Sequence, residues 1–409
     1  MAQNNNKMAE RVILLYTMSF IVVGLFLQTP SELLTGLIDI IASTGILISD
    51  YMVIGGIGPS LVNAGLVGLI GIILVKINHV PMGGASIAAI FTMIGFALFG
   101  KNILNILPIL LGVYLYSLIM KKEFRVFIYP ALYGTALAPL VSEVAIQTPL
   151  GIPGGIAIGI MVGLLVPPLA PHLLSGHEGH NLYNIGFTAG FVGLLLTNFL
   201  RGFSFAPVSL SIWGTGMNGP LRWFMLLMTV SMIVVGYFIN NRSFEGYRAI
   251  FKESGVAVSD FVNIIGFGNT LINMGLVGLI GMLYIEIVGG DYNGATLGGL
   301  FTIIGFGAFG KHPKNIYPVM LGVYLGTIFS SFSPSDPGPL LAGLFVTTIA
   351  PLAGRYGVLI GVVAGFIHLS VVNITGVLHG GLNLYNNGFT AGLVATAFVG
   401  IINGYKERE

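Results

Sequence analysis

Apolar residues along this chain form long unbroken stretches separated by short polar clusters. Val12–Gln28, Leu61–Val75, Ile103–Met120, Ile156–Leu174, Trp223–Ile239 and Val358–Val372 are examples. A helix needs about 20 such residues to cross a bilayer, and these runs reach or approach that length. A transmembrane barrel would show alternating segments of about ten residues, and these runs do not alternate. The pattern predicts an all-α polytopic membrane protein. Composition agrees, with 55% of the 409 residues hydrophobic and only 8% charged, against about 25% charged in soluble domains. Zero cysteines exclude disulfides and thiolate chemistry, and a net charge of +2 gives no reason to expect nucleic acid.

The chain repeats itself. "SDYMVIGGIGPSLVNAGLVGLIG" (49–71) aligns without a gap to "SDFVNIIGFGNTLINMGLVGLIG" (259–281). The match continues between residues 90–115 and 300–325, and resumes at "LYNIGFTAGFVG" (182–193) and "LYNNGFTAGLVA" (384–395). Gapless Ser-Asp, Gly-Lys and Gly-Val-Tyr matches point to a duplication. It divides the chain into a first membrane repeat, 1–205, and a second, 206–409.

Charge predicts how the repeats face. The loop after the first span, "QTPSELLTG", lacks Lys and Arg, whereas its counterpart at 240–254 carries Arg242, Arg248 and Lys252. Conversely "KKEFR" (121–125) is basic and "SSFSPSDPG" (330–338) is not. Basic loops mark the cytoplasmic side, so the repeats should be inverted, each with an odd number of spans. Lys7, Arg11, Lys406 and Arg408 put both termini in the cytoplasm, which predicts a multi-pass protein of the bacterial inner membrane. Each half has about eight apolar segments, so at least one should not cross. Ala85–Phe99 and Ala295–Phe309 are short, Gly-interrupted and framed by Gly-rich turns, as re-entrant or broken helices are. Such pairs in inverted halves point to a transport site.

Polar residues within apolar sequence are the candidates for that site. Leu-x-Asn-x-Gly occurs four times, with Asn63, Asn184, Asn273 and Asn386. The pattern reads as an Asn capping the start of an interrupted helix, with Thr188 and Thr390 one turn further on in two copies. Asp50 and Asp260 occupy matching positions and suit either a helix cap or a cation or proton site. Lys101 and Lys311 close the short segments and suit either attracting an anion or hydrogen-bonding a solute carbonyl, or snorkelling to the interface, the last being the stronger expectation. His177 and His379 each precede a motif Asn by seven residues. The cluster His172, His177, Glu178 and His180 resembles a zinc set, but only His379 recurs in the other half, so no metal is expected. Glu143 and Arg355 fall at matching positions with opposite charge and suit either a salt bridge between halves or simply a place at a loop.

On the duplication and the Asn-x-Gly motifs, the chain resembles a family of uncharacterised bacterial integral membrane proteins, over nearly its whole length. "LYNNGFTAGLVA" and "LVNAGLVGLIG" are also similar to the "YNG-x-L-x-G" signature that opens each half of urea transporters. That resemblance implies two inverted halves around a channel-like pore, usually in a trimer, with the four motif Asn residues at or near its broken helices. "YNGATLGG" is similar to the flavin-attachment motif in membrane subunits of redox-driven ion pumps, which would place a flavin on Thr296. No nucleophile–base pair, zinc-helix motif or Gly-x-Ser-x-Gly occurs, so no enzyme is expected. The expected function is a channel or facilitative transporter for a small polar solute or ion. Its alternatives are a transporter coupled to a cation or proton through Asp50 and Asp260, and a redox-pump subunit. Expected partners are lipid and further copies of the chain, as a dimer or trimer, and no cofactor is expected.

Overall fold

The computed structural model describes residues 2–205, 207 and 209–406; the basic terminal residue Arg408 lies outside them. Among the described residues the chain is helical, without strands. The first half contains α1 (Ala2–Leu27), α2 (Pro30–Ala42), α3 (Tyr51–Ile54), α4 (Ile57–Ile77), α5 (Gly84–Phe96) and α6 (Leu107–Ile119). It continues with α7 (Ile128–Gly134), α8 (Ala138–Gln147), α9 (Gly151–His177) and α10 (Asn184–Gly202). The second half contains α11 (Asn218–Ile239), α12 (Phe261–Val288), α13 (Gly294–Phe306) and α14 (Pro313–Ile328). It ends with α15 (Pro337–Phe345), α16 (Ala350–Tyr356), α17 (Val358–Leu378) and α18 (Asn386–Lys406).

The same packing recurs in each half. α1 lies on α4 as α11 lies on α12, and α6 lies on α9 as α14 lies on α17. Among the described residues ten helical segments are long and apolar enough to span a membrane, five in each half, the odd number that inversion requires. Each half breaks a helix at one glycine. Gly56 (φ +93°) separates α3 from α4, and Gly266 (φ +80°) kinks α12 at the matching place. Side chains rarely tolerate that backbone region.

α5 and α13 have 13 residues each, about 20 Å of helix, too short for a hydrocarbon core of about 30 Å. They correspond to the short segments expected at Ala85–Phe99 and Ala295–Phe309. They pack against each other and run antiparallel. A side chain at Gly84 would meet the Ala308 carbonyl, and one at Gly294 would meet the Leu98 carbonyl. Midway, a Cβ on Gly95 would lie 2.7 Å from the Gly298 oxygen. Glycine lets the two backbones touch, as at other small-residue seams between membrane helices. Two equivalent helices side by side and pointing oppositely define a pseudo-twofold axis between them. Every residue of α13 is buried, and every residue of α5 except Ala85.

Candidate functional site

The seam between the halves carries a cavity of about 180 Å³. Pseudo-symmetric pairs line it: Thr92 with Thr302, Phe96 with Phe306, Tyr183 with Tyr385, and Gly186 with Gly388. The last two pairs come from the starts of α10 and α18, which cross where Gly186 and Gly388 meet. First-turn amides have no intrahelical acceptor, so both helices turn their positive ends towards this centre. Neither start is capped by Asn184 or Asn386. Instead Asn181 Oδ1 accepts from the Tyr183 N–H and Asn383 Oδ1 from the Tyr385 N–H, each at 3.0 Å.

Lys101 and Lys311 are not at an interface. Both are fully buried, which corrects the expectation that they snorkel. Lys101 Nζ donates to Thr135 Oγ1 and to Tyr385 OH of the other half, both at 2.8 Å. Lys311 Nζ donates to Thr347 Oγ1 at 2.8 Å and to Tyr183 OH at 2.5 Å. Each Nζ also lies over aromatic faces, 4.8 Å from the Tyr385 ring and 4.6 Å from the Tyr183 ring. A cation out of water costs several kcal/mol unless held. Here neutral hydroxyl oxygens and ring faces surround each Nζ. Among the described residues the ion pairs are Arg125–Glu123 and Arg222–Glu286, so neither buried Lys has a carboxylate partner.

Asn63 and Asn273 brace these lysines and do not cap helices. Each lies seven residues into its helix, counted from the glycine break, because that break sets the helix start. Asn63 Nδ2 donates to the carbonyls of Ala97 (2.7 Å) and Lys101 (2.9 Å). Asn273 Nδ2 donates to those of Gly307 (2.6 Å) and Lys311 (2.7 Å). Both pairs pin the turn that leads from the short helix to its Lys.

Asp50 and Asp260 are caps that cross between halves. Asp50 Oδ1 accepts from the Met52 N–H at 2.9 Å and from the Gly294 N–H, at the start of α13, at 3.2 Å. Asp260 accepts from the Asn263 N–H at 3.3 Å, and its carboxylate lies against Gly83 and Gly84 at the start of α5. Each short helix thus has an acid from the other half at its positive end and its own Lys beyond its negative end, as the helix dipole favours.

The remaining candidates are internal struts. Asn184 bonds His177 Nε2 (3.0 Å) and the Ala170 carbonyl (3.1 Å). His379 bridges the carbonyls of Thr375 (2.8 Å) and Gly190 (2.9 Å). Thr188 bonds back to the Asn184 carbonyl, and Thr390 pairs with Thr375. Asn386 is buried at the start of α18. Of these, only Asn184 lines the cavity. Glu143, in α8, is buried and Arg355, in α16, exposed, and they form no ion pair among the described residues, so a salt bridge between the halves is not seen. Thr296 is buried with its hydroxyl in a capping box with Asn293 at the start of α13. Among the described residues no group of three His, Asp or Glu side chains is placed to hold a metal. Reading the sequence missed Tyr183, Tyr385, Thr135, Thr347, Asn181 and Asn383, although their pairwise recurrence was available as a signal.

The two ends of the α5–α13 seam differ in exposure. Ala85, Tyr129, Ala257 and Phe309 line the cavity mouth and are partly exposed. Of their counterparts on the opposite side, Ala295, Leu341 and Phe99 are buried and Leu47 is partly exposed. There the segment joining the halves lies beside residues 47–50. The Ile48 N–H donates to the Leu210 carbonyl (2.6 Å) and the Ile212 N–H to the Ile48 carbonyl (2.8 Å).

These features define a polytopic helical membrane protein with two inverted halves meeting at a central, mostly apolar cavity that carries a few hydroxyl and amide groups. The chain belongs to a family described as "Protein of unknown function (DUF1576)", whose model matches residues 29–202 and 239–404, one stretch in each half. No curated protein and no solved structure matches it.

Proposed function

We propose that the protein is a channel or facilitative transporter that moves a small polar solute or ion through the cavity between its inverted halves. One observation carries this reading. The cavity lies on the pseudo-twofold seam, with hydroxyl and amide side chains from both halves set in a mostly apolar lining, and one mouth is more exposed than the other. Broken helices meeting at such a seam are the arrangement that binds cargo in inverted-repeat transporters. The basic loops at 121–125 and 240–254 lead into Tyr129 and Ala257 of the open mouth. By the positive-inside rule that mouth faces the cytoplasm. The reading assigns no catalytic step.

The test is flux into proteoliposomes of urea, glycerol, potassium, chloride, nitrate and formate, with and without a sodium or proton gradient. Downhill equilibration of at least one probe, independent of either gradient, is expected. Uphill accumulation that disappears in Asp50→Asn or Asp260→Asn would instead establish coupled transport.

A further inference from the structure

We infer that the start of α1 and the end of α4 hold the phosphate headgroup of an anionic phospholipid, at a site independent of the transport reading. A cavity of about 330 Å³ lies between these two helices and shares no lining residue with the seam cavity. Lys7, Glu10 and Arg11 of α1 and Lys76 from the last turn of α4 line it, with Leu14, Ile72, Val75 and Met82. Three cations stand against one acid, and that acid is already engaged: Asn6 Nδ2 donates to Glu10 Oε1 at 2.6 Å. Asn6 Oδ1 in turn accepts from the Met82 N–H at 2.7 Å, which ties the chain after α4 to α1. Lys7, Arg11 and Lys76 are exposed and form no ion pair among the described residues.

The second half shows the same place closed. Gly24 sits on Gly58 and Val62 as Gly236 sits on Gly268 and Ile272, so Glu10 matches Arg222, Lys76 matches Glu286 and Met82 matches Tyr292. There Arg222 Nε and Glu286 form a salt bridge at 2.7 Å, and the Arg222 guanidinium lies 5.7 Å from the Tyr292 ring. In the first half the signs at the paired positions are exchanged, a methionine replaces the ring, and Lys7 and Arg11 stand where Gly219 and Trp223 do. The balanced pair has become an excess of positive charge around a cavity. Like charges gathered there repel one another unless an anion lies among them. The apolar wall selects a lipid over a soluble anion. Leu14 lies one turn beyond Arg11 and Ile72 one turn before Lys76, so the wall runs from the charges towards the bilayer interior, the course of an acyl chain. By the positive-inside rule the charges lie at the cytoplasmic leaflet, whose anionic lipids attract Lys and Arg.

The experiment counts lipids retained by the purified full chain in native mass spectrometry, with phosphatidylglycerol and phosphatidylcholine offered at equal concentration. A second arm adds inorganic phosphate. Phosphatidylglycerol should be retained about tenfold over phosphatidylcholine, and inorganic phosphate should not displace it. The combined variant Lys7→Gln, Arg11→Gln, Lys76→Gln should lose that preference. Lys121→Gln with Lys122→Gln, in a basic loop assigned to the same side but outside the cavity, should keep it. Equal retention of the two lipids by the wild-type chain would overturn the site. Equal loss in the two variants would overturn it as well, because general surface charge would then account for the preference. Displacement by inorganic phosphate would overturn the lipid assignment in favour of a soluble anion. The wild-type comparison needs no variant, so it decides the question even if a variant fails to fold.

Discussion

The mouth at Ala85, Tyr129 and Phe309 is open, while its counterpart at Ala295, Leu341 and Phe99 is packed shut, although equivalent helices build both. The acids show the same contrast: Asp50 is fully buried and Asp260 only partly. The halves differ little in the hydrogen bonds they share. The Leu47 N–H donates to the Gly381 carbonyl as the Ala257 N–H donates to Gly179, and the Tyr51 N–H to Leu98 as the Phe261 N–H to Ala308. What one side has and the other lacks is the connecting segment. It adds backbone bonds between 47–50 and 210–212 and reaches further, with Trp213 Nε1 on Asp291 and the Gly214 carbonyl accepting from Asn293. An inverted duplication needs a single connector, and wherever that connector lies the two mouths become unequal. Here it covers the closed one.

The contact common to both mouths is the most fragile. Gly298→Leu would drive its side chain into Phe99, whose ring would already lie 2.2 Å from a Cβ at that position. Overpacking of this kind costs about 3 kcal/mol or more. Loss of monodisperse protein on gel filtration is expected, with both mouths lost together. Tyr385→Phe and Tyr183→Phe each take one acceptor oxygen from a buried Lys Nζ, at about 1–3 kcal/mol. Thermal unfolding in detergent should show nearly equal losses for the two, because this part of the site is symmetric; a loss in only one would show that the symmetry is geometric and not energetic. Ile212→Pro removes the N–H that bonds Ile48, a change of about 1 kcal/mol. It should loosen only the closed mouth, seen as faster thiol labelling of Ala295→Cys with Ala85→Cys unchanged.

Much of this architecture was legible in the sequence. Apolar runs marked the spans, gapless matches marked the repeat, and the exchange of basic loops such as Arg242 and Arg125 marked the inversion. The short segments were within three residues of α5 and α13 at either end. The site was less legible. "FGKN" and "FGKH" read the same whether the Lys reaches for the interface or turns inward. The difference lies in Tyr385 and Tyr183, which are remote in sequence and arrive only by tertiary packing. Leu-x-Asn-x-Gly likewise covers two roles. At 184 and 386 it opens a helix, whereas at 63 and 273 a glycine break upstream has already opened one, and the Asn reaches across to a neighbouring turn. Local pattern carries periodicity and caps, but not which buried donor meets which acceptor.

The central claim is that the seam cavity is an aqueous path entered from one mouth. The chain has no cysteine, so single cysteines report cleanly. The deciding measurement is the labelling rate of Ala85→Cys and Ala295→Cys by a small charged thiol reagent, followed by flux through the labelled protein. The account predicts that Ala85→Cys reacts at least tenfold faster and that its modification blocks flux. Equal rates at the two positions, or flux that survives full modification of Ala85→Cys, would contradict it.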